Sequence, residues 1–435
     1  MNIDRFHNYD AEVRRLVLAF EGEEGTGRRF FDVDELEVIA DYYLEMQDVE
    51  GMEKAVRLGE SLYPSNSAIR LRRAQLLGVS GAYQKALKLL SQLEREEPDN
   101  TDVCYSLGTL YSLMGEAKKS IEWYLRSTED GYGLSVVYDN VADEYGKLGN
   151  TAQAVRYYRK AVENNSNDEY ALRGLSSIWE WQGRNEQAIR YFSRHVAEHP
   201  YCKVGWYCLG KAYLETTPID TEQAIDALNY ALAIDSRFEE ASFALASAYE
   251  QMDDIPRAVQ AYRDVLDYTH RRAYVLRCIG DVYVYAGNWH TASTYYRQAV
   301  KEEPSDSLSW LMMGRCSEAM GYYEDAVAHY LRAINLNPDQ DVNWLNLAHF
   351  YIKHERFDEA VSLLESARTE AATPFWFDMI LIYCYYRMGL RNRLFRIIVE
   401  EGPHYAADLK HIFDYYPELA KDIEIVDAIN GITNE

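Results

Sequence analysis

Prolines recur along this chain at an interval that leaves few folds open. Pro64 and Pro98 are 34 residues apart, as are Pro304 and Pro338, and Pro98 to Pro200 is three such steps. Pro200 to Pro304 is three steps plus two residues. A fixed period of this length implies stacked copies of one small unit, each burying its neighbour's apolar face, rather than one globular core.

With proline at position 32, the first unit starts at Val33. Position 8 is then small in all ten units: Ala40, Ala74, Gly108, Ala142, Ser176, Gly210, Ala246, Gly280, Gly314 and Ala348. Position 20 is small in nine, from Ala86 and Ser120 to Ala360, with Met52 the exception. Position 11 is aromatic in eight, and position 24 holds Tyr158, Tyr262, Tyr296 and Tyr330. In AVRYYRKAVENN (154–165) and AIRYFSRHVAEH (188–199), apolar residues step by three and four, the spacing of an amphipathic helix. Glycine at position 15 in six units closes a turn after a first helix, and Pro256 suits the first turn of a second. Each unit therefore reads as a helical hairpin. Small residues at 8 and 20 let its helices approach, and large ones at 4, 7, 11 and 24 fill the gap to the next hairpin. The two extra residues fall in a turn, ETTPIDTEQ (215–223), and leave both flanking helices in register.

This pattern resembles the tetratricopeptide repeat family, in the bacterial-type form in which repeats fill the chain. The sixth unit carries Trp206-Leu209-Gly210-Tyr213, and the ninth Trp310-Met313-Gly314, Ala326, Tyr330, Ala333 and Pro338. The resemblance implies an all-α, right-handed superhelical solenoid with a concave groove lined by first helices. We expect an N-terminal capping helix and acidic glycine-rich loop over 1–32, and ten tandem units over 33–374. A degenerate eleventh unit and C-terminal capping helices follow over 375–435. Val13, Leu16, Val17 and Phe20 form the apolar face of the leading helix, and Asp32 with Glu35 makes a capping box for the next. In the eleventh unit Ile382 replaces the small residue and Leu394 the alanine. AADLKHIFDYY and PELAKDIEIVDAI read as two closing helices.

A net charge of −25 repels phosphate backbones and anionic membrane surfaces, so neither nucleic acid nor membrane is an expected partner. A protein or peptide with basic or apolar residues fits better. No apolar run approaches the roughly 20 residues that span a bilayer, and the N-terminal stretch does not read as a signal peptide. Six cysteines form no C-x-x-C, which points to a reducing cytoplasm. Cys104, Cys208, Cys278, Cys316 and Cys384 fall in first helices as small packing residues.

Catalytic chemistry has one candidate. HVAEH (195–199) has the H-x-x-E-H spacing of a zinc peptidase, with both imidazoles on one helical face. In the repeat frame, however, His195 and His199 stand in the last turn before Pro200, where the helix dipole favours histidine. A third ligand and a cleft are also needed, and the frame supplies none nearby. EGEEGTG (21–27) lacks the Lys-Ser/Thr of a phosphate loop, and its glutamates would repel phosphate. No cofactor or metal is expected, and no enzymatic activity.

In tetratricopeptide proteins, positions 2, 5, 9, 12 and 13 face the groove. Here these hold Asp34, Glu37 and Asp41 near the start, and Arg315 later. Between them stand the expected peptide-binding residues: Tyr105, Asp139, Asp143, Tyr170, Arg173, Trp181, Tyr207, Lys211, Phe243, Tyr274, Arg277, Asp281 and Tyr285. Aromatics beside charges suit an extended or helical peptide; alternatively they pack sideways between first helices. The two-carboxylate clamp that holds chaperone C-termini is not matched, since Asn140 at position 6 and Arg173 at position 5 are not in its arrangement. The leading expectation is a non-catalytic, cytoplasmic adaptor or scaffold binding a partner's peptide. The alternative is a structural subunit that associates through its terminal caps and the apolar segment 375–385. A zinc hydrolase on HVAEH comes last.

Overall fold

The apolar stripes predicted from the sequence are helices in a computed structural model, which describes residues 11–22, 30–128, 133–368 and 374–433. Among the described residues there is no strand. The chain divides into two compact units, Met1–Gln223 and Ala224–Glu435.

The first unit runs α1 (Ala11–Gly22), α2 (Val33–Glu45), α3 (Val49–Leu62), α4 (Ser67–Val79), α5 (Tyr83–Glu96), α6 (Thr101–Leu113), α7 (Ala117–Arg126), α8 (Leu134–Lys147), α9 (Thr151–Asn164), α10 (Glu169–Trp181), α11 (Asn185–Glu198) and α12 (Lys203–Leu214). Helix α13 (Thr221–Ile234) spans the boundary. Consecutive helices pair as antiparallel hairpins, with even-numbered helices as the first member of each. Asparagine or aspartate before many of them supplies the cap. Asn66, Asn100 and Asp168 accept from the opening N–H groups of α4, α6 and α10; Asp48 and Asn150 do so for α3 and α9. Asp32 and Glu35 form the expected capping box on α2. Within a hairpin, contact is made where the small residues stand. Ser120 Oγ at position 20 donates to the Gly108 carbonyl at position 8, 2.8 Å away. A Cβ on Gly108 would lie 2.5 Å from the ring of Tyr124, so only glycine fits there.

The turn between paired helices is left-handed at position 15. Gly81, Gly115, Gly149 and Gly183 take φ between 64° and 77°, and Gln47 takes φ 56° without glycine's freedom. Val17, Phe20 and Phe31 bury against Leu36, Ile39 and Tyr43, with Val13 and Leu16 packed beside them, so α1 closes the first hairpin as expected. The acidic glycine-rich loop falls mainly on 23–29, outside the described residues.

The second unit continues with α14 (Glu239–Gln251), α15 (Ile255–Leu266), α16 (Arg272–Tyr285), α17 (Trp289–Glu302), α18 (Ser307–Ala319), α19 (Tyr323–Leu336), α20 (Asp341–Lys353), α21 (Phe357–Ala367), α22 (Pro374–Arg387) and α23 (Arg391–Glu400). Short helices α24 (Ala406–Leu409) and α25 (Ile412–Tyr415) lead to α26 (Ile423–Thr433). Of the two expected closing helices, the first is split into α24 and α25, and the second starts only at Ile423. The chain breaks at Lys410–His411 and again at Asp422, which is extended and held by Arg391 at 2.5 Å. The breaks let Leu409, Ile412, Leu419, Ile425 and Ile429 all reach one core. That core encloses α22: Phe377, Met379, Ile380, Leu381, Ile382, Cys384 and Tyr385 are buried. Most of the apolar segment 375–385 is thus interior, with Trp376 left exposed, rather than the docking surface that the structural-subunit alternative required. Burial in this way is what so apolar a helix needs.

Candidate protein-interaction site

The chemistry of the first-helix faces begins with tyrosines at position 24. Their rings cover the small residues of the first helix, and their hydroxyls reach its polar side chains. In the first unit Tyr158 of α9 donates to Asp143 of α8, and Tyr124 to Thr109, 3.1 Å away. In the second, Tyr296 donates to Asp281 at 2.6 Å, Tyr262 to Glu250 at 2.9 Å and Tyr330 to Glu318 at 3.0 Å. These acids stand at positions 9 and 12. The tyrosines that sequence reasoning assigned to filling space also hold the face's carboxylates in place, and the i, i+12 or i+15 spacing of acid and tyrosine was the available signal.

Around Asp143 the first unit gathers three of the expected residues. Tyr170 donates to its second oxygen at 2.6 Å, and that bond, then burial, pushes the Tyr170 phenol up to about 12. Both phenols therefore stay protonated donors. Asp139, one turn back on α8, is only 7% exposed. Burial, then the charges of Asp168 and Asp143, pushes its pKa up to about 8. At neutral pH it keeps its proton and donates it to Asp168, which caps α10. Asp139 is thus a buried donor rather than a charge offered to a ligand.

The remaining first-unit candidates fall into pairs. The Arg173 guanidinium lies over the Tyr207 ring at 5.4 Å, and Lys211 meets Glu180 at 2.6 Å. Tyr105 packs on Tyr124 and accepts from Asn140 at 3.0 Å. Trp181, at the end of α10, is 81% exposed. Beside Tyr105, an apolar hollow of about 90 Å³ opens between α4 and α6, lined by Gly78, Val79, Leu110 and Leu113.

In the second unit Phe243 of α14 packs tilted against Tyr274 of α16 at 5.5 Å, and Arg271 lies over both rings. Arg277 covers Tyr274 from 5.1 Å and pairs with Asp306 at 3.5 Å rather than with Asp281. Tyr285 is exposed and donates to Asp253 at 2.7 Å. The sideways packing weighed from the sequence thus holds for Phe243 and Tyr274, while Trp181 and Tyr285 face solvent.

HVAEH ends α11 as expected. His195 is buried, stacked beside Tyr191, with its pKa lowered by burial and then by His199. His199 is the C-cap. Among the described residues no group of three or more His, Cys, Asp or Glu side chains is arranged to hold a metal. Of the cysteines, Cys208 lies fully inside, where burial pushes its thiol up to about 12, a poor nucleophile. No described helix is long and apolar enough to cross a membrane.

Tandem antiparallel hairpins on a 34-residue period, with small contact residues at fixed positions, define a helical-repeat protein. Models of known families match along it. Two described as "Tetratricopeptide repeat" cover residues 101–129 and 142–201, and one described as "Tetratricopeptide repeat protein 21 C-terminal ARM domain" covers 206–367. The chain is a tetratricopeptide-repeat protein. No curated protein matches it by sequence. Among solved structures it is similar to the APC/C hetero-tetramer Cut9-Hcn1, at 15% identity and TM-score 0.36 over 97% of this chain and 93% of that one. A structure of MamA protein is similar at 19% identity and TM-score 0.31, over 47% of this chain and 92% of that one.

Proposed function

We propose that this protein is a non-catalytic adaptor whose first-helix faces hold a peptide segment of a partner protein, one bearing basic and apolar residues. Tetratricopeptide repeats are a scaffold for protein–protein interaction, and the one hydroxyl–imidazole contact among the described hydrogen bonds, Ser317 with His329 at 3.2 Å, has no carboxylate bonded to the ring's other nitrogen. The observation that carries the reading is the position-24 tyrosine. By fixing Asp143 and Asp281 through their oxygens, it preorganises carboxylates for a cationic side chain and so lowers the ordering cost of binding. Trp181 and Tyr285 offer exposed aromatic area nearby in their respective units, and the hollow beside Tyr105 offers a socket for an apolar side chain. The net charge of −25 favours a basic segment and speeds its approach. The cytoplasm fits cysteines that form no C-x-x-C.

Crosslinking mass spectrometry of partner complexes tests this directly. Contacts should map to α8, α10, α12, α14 and α16, and Tyr158→Phe with Trp181→Ala should weaken capture by about tenfold or more. Contacts confined to the second helices of the hairpins would sink the reading.

A further inference from the structure

A second site lies on the opposite side of the hairpins. Between the second helices α9 and α11 opens a cleft of about 740 Å³, the size of a small-ligand site. Three arginines line it, Arg159, Arg190 and Arg194, in a chain whose net charge is −25. Glu163 and Glu198 line it too, along with His195 and His199.

Arg159 is the unusual member. Its guanidinium is laid over Trp179 at 5.5 Å and over Tyr191 at 5.2 Å. Two rings thus fix its plane, but its buried Nε has no hydrogen-bond partner. His195, nine-tenths buried, stacks parallel to Tyr191 and bonds the Ser166 backbone, which leaves its Nε2 buried and unpartnered in the same cleft; that nitrogen donates to an anion once the ring is protonated. Unmet buried polar atoms are costly, and two meeting at one cleft mark a place built for a polar guest. Arg190 and Arg194 are exposed and, among the described residues, pair with Glu186 and Glu198 on their own helix, pairs worth little in water and easily shared.

We propose that the α9–α11 cleft binds a phosphate-type oxyanion, gripped by Arg159 with Arg190 and Arg194 at the rim and His195 beneath. Several guanidinium groups match a multiply charged tetrahedral anion, whereas a single carboxylate would leave some of them unused. The anion is either a free phosphate or one carried on a phosphorylated peptide. This site is independent of the first-helix faces, so either can fail while the other stands.

The test follows the His195 ring signals by NMR at pH 6.5 in the full-length protein, titrated with inorganic phosphate and, in parallel, with a phosphoserine peptide. Wild type should show saturable shifts that equal concentrations of sodium chloride do not produce. Arg159→Met, which keeps the stacked stem, should weaken binding at least about tenfold. Arg190→Gln with Arg194→Gln, at exposed positions that the fold does not use, should weaken it several-fold and serves if the first variant does not fold. Tighter capture of the peptide than of phosphate assigns the anion to a polypeptide; equal capture assigns it to the free ion. Signals that stay still, or that move equally in wild type and variants, would overturn the proposal.

Discussion

Asp139 shows how far a single residue's environment can depart from its apparent role. On the sequence it is one more acid at a groove position; in the structure it is a protonated donor wedged against Asp168. Its folded pKa of about 8 lies above the ordinary 3.8. Between those values the folded state holds a proton that the unfolded state has lost, so stability falls as pH rises from about 4 to about 8 and is level outside that window. Asparagine can donate to Asp168 in the same way and has no proton to lose. Asp139→Asn should therefore be more stable than wild type at pH 8, by an amount on the order of a few kcal/mol, and nearly equal at pH 4. Urea titrations at the two pH values read the difference directly; a variant no more stable at pH 8 would contradict the buried, protonated assignment.

At the scale of the element, the hairpin turn is the point where sequence and geometry disagree. Position 15 is left-handed in every unit but the sixth, whether or not glycine occupies it. Gly115 and Gly149 stand at φ 76° and 71°, while Gln47, Asp253 and Glu355 each stand at 56°. A side chain in that region is strained by roughly 1 kcal/mol or more. Gln47→Gly should thus stabilise the protein by up to about 1 kcal/mol, offset in part by the freer unfolded chain. A rise in melting temperature without change in helical signal is the expected reading. Another recurrent device joins one hairpin to the next: the indoles of Trp206, Trp310 and Trp344 donate to the carbonyls of Pro200, Pro304 and Pro338 at 2.8–3.2 Å. The P-x5-W spacing stood in the sequence as the signal for it. The proline marks the unit's end, and its carbonyl, having no place in a ladder, is capped by the next unit's first helix.

For the whole molecule, the question is how the last hairpin of the second unit is covered. Helix α22 is apolar on every side, and Asp378, fully buried within it, is held by Arg368 at 2.7 Å and by Tyr405 at 2.7 Å. Burial raises the Asp378 pKa, with those two partners opposing the rise. Truncation after Glu401 would remove Tyr405 along with Leu409, Ile412, Leu419, Ile425 and Ile429, and expose a contiguous apolar patch. Sedimentation should then show mass that grows with concentration. Association through the intact caps would have the opposite signature, a mass dependence that the truncation abolishes.

The sequence by itself determined the period, the hairpins, the closing small residues and the capping box on α2, because these depend on spacing along one or two helices. Legible too were the positions from which first-helix side chains project. Which of those side chains are free to meet a partner was decided only by tertiary structure. Asp143 is held by hydroxyls 15 and 27 residues away, Asp139 is kept protonated by burial and by the charge of Asp168 across a helix boundary, and Phe243 and Tyr274 pack on each other. The oxyanion cleft was illegible for the same reason. Arg159 and His195 come from different hairpins, and only packing shows that each leaves one buried nitrogen unmet. Local pattern fixes where a residue points; its charge state and availability are set by what the rest of the chain brings against it.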